Sequence, residues 1–178
     1  MYPYNREWLI DSINIERYTI VKRNWDESKK LISSIREHLS TIDAEIASKI
    51  YTIATAGSLG RMEASPDVSD LDLILVLSDD IDPDSEIASD IYKSVWKALE
   101  PLKLQLPKST GVFADSTSQK QLISDIGKAN ERYEVFGKRL LILLESQPLY
   151  QDSNYTNLIR VIVERYADSY LAPHRTNP

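Results

Sequence analysis

No cysteine occurs anywhere in the 178 residues, which removes disulfides, thiolate metal sites and cysteine nucleophiles together. Histidine is nearly absent, and His38 and His174 are far apart without ligand spacing. Exposed helix-end and tail positions are expected for them rather than metal or catalytic roles. Long apolar runs are missing too. Leu73–Leu77 and Leu140–Leu144 are the longest, against roughly 20 residues for a bilayer-spanning helix. Met1 to Glu16 is polar and mixed in charge, unlike a signal peptide. A net charge of −6 argues against a broad basic surface for long nucleic acids. Neither a Gly-x-Ser-x-Gly elbow nor a Gly-Lys-Ser/Thr loop is found. The absences together fit a cytoplasmic protein with no membrane partner.

What remains is an ordinary globular composition, 42% hydrophobic and 27% charged, in a chain long enough for one domain with a sizeable core. Residues 1–50 read as an N-terminal helical segment. Trp8, Leu9, Ile13 and Ile15 mark a first stretch. Leu31, Ile32, Ile35 and Leu39 then recur at helical spacing, with Asp26 and Glu27 near the start. Tyr51–Ala56 and Asp70–Leu77 read as strands. Ser85 is a plausible N-cap for a helix through Ile91, Val95 and Leu99, which Pro101 stops. Leu102 to Ala114 alternates around Pro107 as a short or edge strand. Residues 116–178 read as C-terminal helices, with a frayed tail from Ala172. The fold class expected is α+β: a small mixed sheet with flanking helices and a C-terminal helical part. Amphipathic patterning at both ends permits a homodimer or docking to a larger partner.

The segment from Gly57 to Leu73 carries the chemistry. A strand runs into Gly57-Ser58, a polar loop follows, and Asp70-Leu71-Asp72-Leu73 opens the next strand. Residues two apart in a strand share a face, so Asp70 and Asp72 project together while Leu71 and Leu73 turn inward. Adjacent carboxylates repel unless a cation lies between them, and Mg²⁺ prefers such oxygen ligands. A Gly-Ser turn offers backbone N–H groups to phosphate oxygens. The combination implies a nucleoside triphosphate. Arg61 and Glu63 read as a pair with each other as readily as functional residues, with Glu63 organising the loop rather than touching substrate, and the acidic run Asp79–Asp84 reads as an exposed loop.

Gly57-Ser58 followed by Asp70-Leu71-Asp72 resembles the signature of the nucleotidyltransferase superfamily that includes DNA polymerase beta and the kanamycin nucleotidyltransferases. The finer pattern Gly60-Arg61-x-Glu63-x-x-Pro66-x-x-Ser69-Asp70-Leu71-Asp72-Leu73 is similar to the amino-terminal domain of the PII uridylyltransferase group and related bacterial nucleotidyltransferases. Here the loop between Gly-Arg and Asp-x-Asp is one residue longer. Arg139-Leu140-Leu141-x-x-Leu144-Glu145-Ser146-x-Pro148 is similar to the helical part of those domains. The resemblance implies residues 51–115 as the catalytic core. Within it, Gly57 and Ser58 would hold the β- and γ-phosphates, and Arg61 would reach phosphate or brace the loop. Asp70 and Asp72 would be catalytic ligands to two Mg²⁺ ions.

The resemblance also implies an Mg²⁺-dependent enzyme that transfers a nucleoside monophosphate from ATP or UTP to a hydroxyl, releasing pyrophosphate. The acceptor would be a protein or small molecule rather than a polynucleotide. One departure stands out. Members take a third carboxylate from a later strand, and that strand here reads Lys103-Leu104-Gln105-Leu106, without an acid. Asp115 is the nearest candidate for the third catalytic position. The competing reading is a non-catalytic nucleotide-binding regulatory or interaction module.

Overall fold

The structure is a computed structural model describing residues 14–67, 70–124, 126 and 131–171, with side chains described to residue 168. A four-stranded mixed sheet has the order β3-β2-β1-β4, with β1 Ile50–Thr55, β2 Leu73–Leu77, β3 Thr117–Ser118 and β4 Gln147–Tyr150. β1 runs antiparallel to both β2 and β4, and β2 runs parallel to β3. Every residue of β2 is buried. A strand covered on both faces reads as a continuous apolar run rather than an alternating one, and Leu-Ile-Leu-Val-Leu is such a run.

Two helical layers cover the sheet. On one face Leu73, Leu75 and Leu77 meet α1 (Thr19–Leu39) and α4 (Glu86–Leu99) through Ile35, Leu39, Val95 and Leu99. On the other, Ile74 and Val76 meet α6 (Tyr133–Glu145) and α7 (Asp152–Leu171) through Ile142, Tyr155 and Leu158. Short helices fill the connections: α2 (Ala44–Ser48), α3 (Gly57–Gly60) and α5 (Gln119–Ser124). The Ser85 side chain accepts from the Ala88 N–H at 3.2 Å and caps α4 as expected. Pro101 sits in a 3₁₀ turn, Glu100–Leu102, that ends α4.

Several expected boundaries move. Leu102 to Ala114 forms no strand; Gln105 alone makes a bridge, to Asp70, and the chain loops out before rejoining the edge as β3. Residues 116–178 are not purely helical, because β3 and β4 belong to the sheet. The 51–115 core is therefore completed by its successor, and that division does not follow the packing. β4 contains Pro148, which suits an edge strand because it cannot donate to a second neighbour. Helix α1 begins at Thr19, a full two turns before Asp26 and Glu27, which lie inside it. The stretch of Trp8, Leu9 and Ile13, the tail from Ala172, and His174 lie outside the described residues. Among the described residues no helix is long and apolar enough to cross a membrane.

Candidate active site

The end of β1 and the approach to β2 build the site. Beyond Thr55, the Ala56 N–H donates to the Asp72 carbonyl at 2.8 Å, extending the β1–β2 pairing by one bond. The Leu73 N–H donates to the Leu71 carbonyl at 3.0 Å, a three-residue turn centred on Asp72. Leu71 and Leu73 both enter the layer beneath α4, and Asp72 faces away from them. Asp70 is exposed and paired with Gln105.

Gly57 lies directly under the Asp72 carboxylate. Its φ of +62° is a left-handed conformation that glycine adopts without strain. A Cβ placed there would stand 2.1 Å from Asp72 Oδ2. Backbone and carboxylate thus approach to a distance that no side chain at position 57 would permit. The N–H groups of Gly57 and Ser58 take no backbone partner, and the Ser58 hydroxyl makes no hydrogen bond among the described residues. Gly60 is equally constrained, since a Cβ would come within 2.0 Å of the Glu145 carbonyl oxygen and 2.8 Å of that of Thr55. The glycine spacing brings α3 against the end of α6.

That approach introduces a residue that sequence reasoning did not single out, Glu145. Arg61 Nε donates to Glu63 at 2.8 Å, and its Nη1 donates to Glu145 at 2.5 Å. Glu63 and then Glu145 hold the guanidinium still more firmly in its protonated form. Arg61 thus braces the loop through two carboxylates. The loop is anchored again through Ser28, buried in α1, whose hydroxyl accepts from the Ala64 N–H at 3.0 Å. The signal for Glu145 lay in the Leu144-Glu145-Ser146-x-Pro148 stretch, 84 residues from Arg61, where no local spacing rule connects them.

The electrostatics are uncompensated. Burial lifts the Asp72 carboxyl above the ordinary carboxylate range, and the charges of Asp70 and Glu145 push the same way; Arg61 opposes them. An acid so placed gains from a cation. Among the described residues no three acidic or imidazole side chains converge into a preformed metal cluster. The donor set is the Asp70–Asp72 pair. Two carboxylates completed by other oxygen donors would suit Mg²⁺, which is seldom held by an all-protein cage.

Asp115 stands elsewhere. Its carboxylate pairs with the ammonium of Lys138, whose side chain is 2% exposed and which also donates to the Ser116 carbonyl at 3.2 Å. The position beside Asp70 that a third acid would need holds Gln105, an amide. His38 is a structural residue, its Nδ1 2.8 Å from the Ser34 carbonyl one turn back. Of the candidates, Gly57, Ser58, Arg61, Asp70 and Asp72 come together, and the Asp115 carboxylate is taken by Lys138. No protein-family model, curated protein or solved structure matches the chain.

Proposed function

We propose that the chain is a cytoplasmic, Mg²⁺-dependent nucleotidyltransferase that moves a nucleoside monophosphate from ATP or UTP to a hydroxyl of a protein or small-molecule acceptor. The observation that carries this reading is the seat of Asp72 on Gly57, beside Asp70 and two N–H groups without a backbone partner among the described residues. Asp70 and Asp72 would hold Mg²⁺, which supplies Lewis acidity towards the phosphate oxygens. Gly57 and Ser58 donate N–H bonds, and Ser58 its hydroxyl, to the β- and γ-phosphates. Arg61, tied to Glu63 and Glu145, holds the loop so that these donors stay aimed. The acceptor hydroxyl attacks the α-phosphorus in line and gives its proton to solvent water, the bond to the bridging oxygen of the β-phosphate breaks, and pyrophosphate leaves.

Gln105 favours a second reading, a nucleotide-binding module without turnover. An amide beside Asp70 can orient a hydroxyl but cannot take its proton. A pyrophosphate-release assay with ATP and UTP, over panels of hydroxyl-bearing proteins and small molecules, separates the two. Release that is lost in Asp70→Asn and Asp72→Asn supports the enzyme. Mg²⁺-dependent binding with no release above that of the variants supports the module.

A further inference from the structure

A concavity lies against α4, apart from the carboxylate pair. It has a volume of ≈ 670 Å³ and is bounded by α4 and the loop from Lys103 to Ser109. The size falls within the range of small-molecule sites, roughly 300–1,000 Å³. Trp96, Leu99, Leu104 and Leu106 supply its apolar wall. Around the rim stand Lys93, Lys97, Lys103 and Lys108, against one acid, Glu100. In a chain of net charge −6, this is a local reversal of sign. Lys93 is paired with Asp90; Lys97, Lys103 and Lys108 have no ion pair among the described residues. Trp96 is packed behind the cavity surface. Trp96 is 7% exposed, and its indole N–H finds no acceptor among the described residues. The neighbouring Tyr92 hydroxyl, close enough to be influenced by that N–H, is not aligned to accept from it and donates to the Phe113 carbonyl at 2.7 Å.

We propose that this cavity binds a small amphipathic anion, a planar apolar body bearing a carboxylate, sulfonate or phosphate group. The apolar wall removes the body from water, and the unpaired lysines meet the anionic group at the rim. Lysine ammoniums are strongly hydrated point charges without a fork, so the site selects charge and apolar shape rather than a particular anion geometry. The site is separate from the carboxylate pair. Leu71 and Leu99 lie in the same core layer as the cavity wall, whereas Asp72 faces Gly57 on the other side of the chain. The proposal therefore stands or falls independently of nucleotidyl transfer. The two places share one strip of chain, since Gln105, between wall residues Leu104 and Leu106, bridges to Asp70.

The probe is anilinonaphthalene sulfonate, followed by its own fluorescence on the folded full chain, with neutral N-phenylnaphthylamine as the uncharged comparison. The expected result is saturable binding at one site per chain. Affinity should fall at least tenfold in Lys97→Gln/Lys108→Gln, and in Leu106→Asp, which puts an anion on a side chain 66% exposed and so leaves folding intact. Lys30→Gln on α1 serves as the control and should bind as the parent does. Asp70→Asn should also bind the probe normally. The proposal is overturned if binding does not saturate, if the double lysine variant and Leu106→Asp bind as the parent does, or if the neutral probe shows the same variant dependence.

Discussion

At the residue scale, Asp72 and Gly57 form a mutual constraint. Asp72 has its carboxyl pKa raised in the folded chain above the ordinary 3.8. The native state therefore binds protons more tightly than the unfolded one, and stability falls as pH rises from about 4 through the folded-state pKa. Asp72→Asn removes that loss. Without metal, the variant should melt higher than the parent at neutral pH, with the difference closing as pH drops below about 4. Thermal melts across pH 3–8 check this (about pH 4 is where the curves should meet). A variant less stable than the parent throughout would show that the carboxylate contributes contacts beyond its charge. Gly57→Ala meets both a left-handed φ and the Asp72 oxygen, and a loss of about 1–3 kcal/mol is expected. Adding Asp72→Ala relieves the clash and leaves only the backbone strain. Partial recovery in urea melts of the double variant is the expected outcome.

At the element scale, the instructive case is α6. Its sequence, Tyr-Glu-Val-Phe-Gly-Lys-Arg-Leu-Leu-Ile-Leu-Leu-Glu, suggests that the charges face solvent and the leucines the core. The structure reverses part of this. Lys138 and Arg139 are buried, while Leu144 is 72% exposed. Arg139 Nε donates to the Leu122 carbonyl at 2.7 Å, its Nη1 pairs with Glu131, and its guanidinium stacks on Tyr166 at 5.8 Å. The helix thus ties α5 and α7 together by charge as well as packing. No periodicity rule reports this, because the partners are far away in sequence. Lys138 likewise staples the loop ending at Asp115. Asp115→Ala leaves a buried ammonium with one carbonyl partner, and a loss of about 3 kcal/mol is expected. Lys138→Met leaves a half-exposed carboxylate that water can reach, and should cost about 1 kcal/mol or less. Denaturant melts of the two variants measure the asymmetry. If Asp115→Ala instead folds normally and loses turnover, the third acid lies there after all.

The edge elements show where sequence was silent. β3 is two residues long, below any pattern's reach. β4 hides behind Pro148, whose carbonyl is satisfied by Arg36 at 2.9 Å from α1. By contrast, the expected strands Tyr51–Ala56 and Asp70–Leu77 and the Ser85-capped helix were legible in outline, because apolar runs and a local cap carry their own signal. The strands themselves span Ile50–Thr55 and Leu73–Leu77, and Asp70 and Asp72 precede the second. The candidate site divides the same way. Gly57, Ser58, Asp70 and Asp72 lie on the two arms of one β-loop-β unit and could be read together. Glu145 and Gln105 enter through tertiary pairing alone.

At the scale of the whole molecule, the sheet brings the end of β1 against the approach to β2, and α6 closes over both. Burial and the charges of Asp70 and Glu145 raise the Asp72 pKa, so the carboxylate pair at that junction gains from a cation. A ligand that binds only the folded form at 100 times its Kd adds about 2.7 kcal/mol of stability, so occupancy should register in melting as well as in heat. The most direct measurement is isothermal titration of ATP and of UTP into the folded chain with and without Mg²⁺, repeated on Asp70→Asn and Asp72→Asn. Saturable binding of at least one triphosphate that requires Mg²⁺ and disappears in both folded variants is the predicted result. No binding of either triphosphate with Mg²⁺ present, or unchanged binding in both variants, would contradict the assignment of this site.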